Sequence, residues 1–103
     1  MTKVLGLPKT VYDIVCAVCA DYDRRENIAS DNTSVAMRCK ELNDIVERSL
    51  LTVDSGLRTT ILSDVIYSNG YRHSKANAVC NFKTYYRQKR RFLICIAQDL
   101  NLI

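Results

Sequence analysis

The 103-residue sequence is poor in chain breakers, with one proline, Pro8, and three glycines, Gly6, Gly56 and Gly70. Few tight turns can be built from that supply, and after Pro8 the apolar residues recur at helical rather than alternating spacing, which excludes a β-rich chain and predicts an all-α fold. No stretch approaches the ~18 uncharged apolar residues of a membrane span, and the opening "MTKVLGLPKTVYDIV" has no apolar run of signal-peptide length. Membrane insertion and secretion are thereby disfavoured, and a cytoplasmic location is expected. A single histidine, His73, leaves little material for a metal site. The most informative scarcity is local: from Val65 to Gln98 there is not one carboxylate.

Against that gap stand seven Lys or Arg in the same span, whereas Met1 to Asp64 carries eight basic and ten acidic side chains. The net charge of +4 therefore conceals a cationic C-terminal third on a slightly acidic body. Such a field draws polyanions to one face, although a solvated basic face without a ligand has the same composition.

A chain of this length holds one domain with a single modest core. The five cysteines, Cys16, Cys19, Cys39, Cys80 and Cys95, are an odd set mostly among apolar neighbours, and read as reduced core thiols. The expected architecture is a small bundle of about five helices: an N-terminal scaffold over residues 10–52, then a helix-turn-helix-like region over 54–103.

A first helix should follow Pro8, with Thr10 as N-cap and Val11, Ile14, Val15, Val18, Cys19 and Tyr22 on one stripe. It runs into "DYDRREN", where Asp21 and Arg25 can pair. "ASDNTS" reads as a loop with an N-cap at Thr33 or Ser34. In the second helix Val35, Cys39, Leu42, Ile45 and Val46 share a face, with Lys40–Asp44 and Asp44–Arg48 pairs opposite. A third helix is expected from Asp54 or Ser55 to about Ser68, closed by Asn69 and Gly70 as a left-handed cap. "RHSKANAVCN" reads as a short helix capped by Ser74, with Ala76, Val79 and Cys80 available for packing.

The last and longest helix, from Phe82 or Lys83 to about Leu100, carries the functional signal. At 100° per residue, Phe82, Tyr85, Tyr86, Lys89, Leu93, Ile96 and Leu100 fall on one side, and Thr84, Arg87, Gln88 and Arg91 on the other. From Leu93 the helix is apolar nearly all round, so "FLICIA" needs a second covering surface. A second copy of the chain or the first helix of the same chain can supply it. A short helix, a tight connection and a long helix with a cationic first half is the order of a helix-turn-helix, whose second helix enters the major groove. On that reading Arg87, Gln88 and Arg91 contact bases, while Lys83, Thr84, Arg90, Lys75 and Arg72 hold phosphates. Phe82, Tyr85, Leu93 and Ile96 would anchor the helix on Leu57, Ile61, Val65 and Val79.

The run "TYYRQKRRFLICIAQDLNL" resembles the closing segment of phage late-gene regulators of the ArpU and RinA type. The matching positions are Thr84, Tyr85, Tyr86, Arg87, Lys89, Arg90, Leu93, Ala97 and Leu100. The resemblance covers about a third of the chain, and "ANAVCNFKT" departs from the family's pattern in having no glycine at the turn. It implies a sigma-region-4-like helix-turn-helix, sequence-specific binding of double-stranded DNA at promoters, and phage or prophage origin. A homodimer is the expected form, RNA polymerase is a candidate further contact, and no cofactor is implied.

Other readings are weaker. "CAVC" at Cys16 to Cys19 has the spacing of a zinc or redox pair, but it lies within an amphipathic helix without a second pair, which favours core packing. His73 beside Ser74, and Asp21 with Asp23, do not make a legible catalytic constellation, so no enzyme is expected. The rival of a different class is a small all-α adaptor that binds an acidic protein through Tyr85, Tyr86, Phe92 and the basic helix.

Overall fold

The computed structural model describes residues 2–29 and 33–103. The centre of the loop expected across Ala29 to Ser34, residues 30–32, lies outside the described residues. The fold is all-α apart from one small hairpin. Its helices are α1 (Lys9–Ala20), α2 (Tyr22–Ile28), α3 (Ser34–Leu50), α4 (Arg58–Ile66) and α5 (Phe82–Asp99). Helical spacing gave no sign of the hairpin, in which β1 (Lys3–Val4) pairs antiparallel with β2 (Leu7–Pro8). Its two-residue loop has positive φ at both Leu5 (50°) and Gly6 (81°), the type I′ pattern that suits paired strands. Glycine adopts that region freely, whereas a leucine held there costs about 1–3 kcal/mol.

Pro8, with φ fixed at −53°, stands at the N-cap position of α1, so Thr10 lies inside the first turn and does not cap it. The chain breaks at Asp21 and resumes as α2. The break is held by Arg25, which is 4% exposed. Its Nε donates to Asn43 Oδ1 at 2.7 Å, its second amino group donates to the Val18 carbonyl, and Asp21 pairs with it at 3.6 Å as expected. Asn43 in turn donates to the Tyr22 carbonyl and to Glu26 Oε1.

That network rotates α3 relative to expectation. Thr33 does cap it, accepting from the Ala36 N–H at 3.1 Å. The inward stripe is Ala36, Cys39, Asn43, Val46 and Ser49, and Val35 is exposed. Polar Asn43 takes an inner position because its amide completes the Arg25 site. The expected Lys40–Asp44 and Asp44–Arg48 pairs do not form; Arg38 pairs with Glu41 at 3.0 Å and Arg48 reaches Asp99 of α5 at 3.7 Å.

Leu57, Ile61 and Val65 of the α4 region are buried as expected. The left-handed residue that ends α4 is Ser68 (φ 57°), not Asn69 or Gly70. The Asn69 N–H bonds to the Asp64 carbonyl at 2.8 Å and that of Ser68 to Val65 at 3.4 Å, a Schellman cap. The segment expected to be a short α-helix is instead two 3-10 helices, Tyr71–His73 and Lys75–Ala78. Ser74 caps the second as expected, accepting from the Ala76 N–H at 3.0 Å. The bonds close over three residues, the segment ends before Val79, and Val79 is exposed rather than packed.

Helix α5 begins with Asn81 accepting from the Thr84 N–H at 2.9 Å and ends in a second Schellman cap at Asn101. It packs between α1 and α3, while α4 lies against α1 and α2 against α3. Tyr85, Phe92, Leu93, Ile96 and Ala97 are fully buried in a core shared with Leu7, Val15, Cys19, Val46 and Ile61. Each large apolar side chain so buried contributes about 1.5–3 kcal/mol. The "FLICIA" block is thus covered largely by α1 and α3, and its burial does not require a second copy. Phe82, expected as an anchor, is 56% exposed because it precedes the first helix-covered turn.

Candidate nucleic-acid interface

The burial of one face of α5, from Tyr85 to Ala97, decides which of its polar side chains are available. Lys83, Arg87, Arg90 and Arg91 are exposed, and their spacing of i, i+4, i+7 and i+8 makes one continuous row. At 1.5 Å per residue the row is about 12 Å long, the rise of three to four base pairs. Arg87, Arg90 and Arg91 line a shallow concavity of about 400 Å³, bordered by Thr52, Ile94, Cys95 and Gln98. Among the described residues none of the four cations has a carboxylate within ion-pair distance. Arg91 makes one long contact, to the Thr52 carbonyl at 3.4 Å.

The row is electrostatically unfavourable by itself. Like charges at i, i+4 destabilise a helix by about 0.2–0.5 kcal/mol per pair, and Lys83 also sits in the first turn, where the helix dipole repels cations. A ligand rich in negative charge reverses the sign of both effects.

Gln88 does not belong to this surface. It is 3% exposed, with its Oε1 accepting from the Asp54 N–H at 3.2 Å and its Nε2 donating to Asp54 Oδ2 at 3.3 Å. Rather than face a base, it clamps α5 to the turn between α3 and α4, and that turn forms one wall of the arginine concavity. Thr84 is half-buried, and its N–H is occupied by the Asn81 cap, so it offers no backbone donor to a phosphate. Arg72 and Lys75 are exposed but lie elsewhere. Arg72 borders a concavity with Tyr71, Phe82 and Tyr86, and Lys75 borders another with Thr59, Thr60 and His73. The eight expected contacts therefore resolve into one row of four, two outlying cations, and two residues used internally.

The residues that carry the family resemblance also divide. Tyr85, Lys89, Leu93 and Ala97 are buried, and Arg87 and Arg90 are exposed. Most of that pattern consequently specifies how α5 docks. The helix-turn-helix expectation changes at its first element, since the 3-10 segment, not an α-helix, precedes α5.

Behind the row, Tyr85 donates its hydroxyl to Asp64 Oδ2 at 2.8 Å. Burial, and then this bond to a carboxylate, raise its pKa above the ordinary tyrosine value. Sequence reasoning placed Lys89 on the inner side but assigned it no role. It is 6% exposed, with Nζ 5.7 Å and 5.8 Å from the ring centroids of Tyr85 and Tyr86. The signal was a lysine three and four residues after two tyrosines on a core-facing stripe. Cys19 is fully buried and burial pushes its thiol up to about 12, the setting of an inert packing residue. Ser74 Oγ is engaged in its cap, and burial of the Ser74 side chain leaves it no outward face for His73.

Comparison with protein-family models, with curated proteins and with solved structures returns no match. Among the described residues no helix is long and apolar enough to cross a membrane.

Proposed function

We propose that this chain binds double-stranded DNA as a transcriptional regulator, through the outer row of α5. The observation that carries the reading is the row itself: Lys83, Arg87, Arg90 and Arg91 on one face of a helix whose opposite face is locked into the core, with no carboxylate within ion-pair distance among the described residues. Arg87, at the middle of the row, is the side chain for bidentate reading of a guanine; Lys83, Arg90 and Arg91 hold phosphates. With Gln88 removed from the interface, most affinity comes from the backbone. The resemblance of α5 to the ArpU and RinA type supports promoter DNA as the target, phage or prophage origin, and RNA polymerase as a further contact. A homodimer on two half-sites would double the row.

Selection of bound duplexes from a random pool, followed by anisotropy titration in rising salt, tests this. An enriched motif is expected, with log K falling against log salt at a slope of about −3 for three neutralised phosphates per chain. Arg87→Ala should cost about 1–3 kcal/mol of specific binding with unchanged circular dichroism. No enrichment and a flat salt response would overturn the reading. Exposed Phe82 beside Lys83 favours the alternative, an acidic protein partner, and in that case Phe82→Ala would weaken binding as much as Arg87→Ala.

A further inference from the structure

Lys89 presents a problem that the DNA reading does not absorb. Its ammonium has three protons to donate, yet among the described residues it makes no hydrogen bond and no ion pair; the faces of Tyr85 and Tyr86 lie beside it, and the Cys16 thiol shares its cleft. Cation–π contact offsets part of the cost of burying a charge, but an unpaired buried cation remains unfavourable. The lysine is not sealed in. It lines a cleft of about 490 Å³ between the hairpin, α1, the end of α4 and α5.

The walls of that cleft define what fits. Tyr12, Tyr86, Leu5 and Val65 supply an apolar slot, and Lys3 of β1 stands at the same cleft as a second cation. Asp64 also borders it, with one oxygen accepting from Tyr85, and lies beyond ion-pair distance of either lysine. Two cations against one carboxylate leave the cleft a net positive charge. Two of its wall residues, Leu5 and Ser68, hold positive φ (50° and 57°), so the backbone around the cleft is kept in a conformation that such residues adopt at a cost. The volume is that of a small-molecule site, too small to admit a duplex. On the helical wheel Lys89 is about 160° from Arg87, so this cleft and the arginine row are separate faces of α5.

We infer that this cleft binds a compact organic oxyanion, a carboxylate or phosphate on a flat apolar body, with Lys89 as its anchoring cation. The oxyanion accepts hydrogen bonds from the ammonium that no group among the described residues accepts, Lys3 closes over it, and the body lies between Tyr12 and Tyr86. The inference is independent of DNA binding.

Benzoate, phenyl phosphate and neutral benzamide are the probes, titrated into the intact chain and followed by amide chemical shifts. Saturable shifts are expected at Tyr12, Cys16 and Gly70 for one of the two anions, at least tenfold tighter than any benzamide response. A preference between the anions assigns the carboxylate or the phosphate source. Lys89→Met should weaken the effect at least tenfold, and Lys3→Ala, at an exposed residue whose loss leaves the core intact, several-fold. Absence of saturation, an equal benzamide response, shifts centred on Arg87 and Arg91, or full affinity in a folded Lys89→Met would each overturn the proposal. Should Lys89→Met fail to fold, the wild-type shift map and Lys3→Ala decide it.

Discussion

Arg25 and Arg87 are the same side chain put to opposite uses. Arg25 is buried where α1, α2 and α3 meet, and each of its three guanidinium nitrogens has a partner: Asn43, the Val18 carbonyl and Asp21. Arg87 stands on α5 among other cations and, among the described residues, has no carboxylate within ion-pair distance. The first region satisfies itself, whereas the second leaves its cations without a carboxylate partner among the described residues, the state in which the proposed anionic ligand would find it. Total charge does not reveal this difference, since each arginine contributes one unit; the placement of acceptors does.

The largest expected effect breaks the first half of the comparison. Arg25→Ala leaves Asn43 and the Val18 carbonyl buried without their donor and should lower stability by about 3 kcal/mol in urea unfolding. A loss below about 0.5 kcal/mol would mean that the network is ornamental. Gln88→Ala removes both bonds to Asp54, and a loss of about 1–2 kcal/mol is expected, together with weaker DNA binding because the wall of the concavity is released.

A sharper test reverses one charge in the row. Arg87→Glu replaces two like-charge i, i+4 relations, with Lys83 and Arg91, by two opposite-charge ones. Stability should rise by roughly 1–2 kcal/mol while DNA affinity collapses. A protein that loses both would show Arg87 to be structural after all. The smallest effect concerns α3, where the buried Ser49 hydroxyl has no hydrogen-bond partner among the described residues. Ser49→Ala should leave stability unchanged or raise it by up to about 1 kcal/mol.

Much of α5 was legible in the sequence because its signals are local. The Asn81 cap, the apolar stripe and the absent carboxylates all lie within a few residues of what they determine. Gln88 was misplaced for the opposite reason: its partner Asp54 is 34 positions away, and on a helical wheel Gln88 borders both faces. Asn43 looked like a surface residue until Arg25, 18 positions earlier, supplied a reason for burial. The hairpin escaped notice because two residues per strand are too few to show a period of two. The segment after Gly70 kept its Ser74 cap but not its helix type, since one capping residue serves α and 3-10 turns alike. Of the site, the four cations were read correctly as outward, and Lys89 correctly as inward but without purpose.

The glycine at the hairpin tip has a reach beyond its own turn. A Cβ built on Gly6 would lie 2.8 Å from Arg90 Nε, so the bare backbone there is what lets that guanidinium lie flat against the first loop of the chain. The hairpin tip and the middle of α5 thus meet, and the loop acts as a rest that sets the angle of the Arg90 side chain. An alanine at Gly6 would push the cation aside and also strain a turn held at positive φ, so a change at the hairpin would be felt on α5, 84 positions away along the chain.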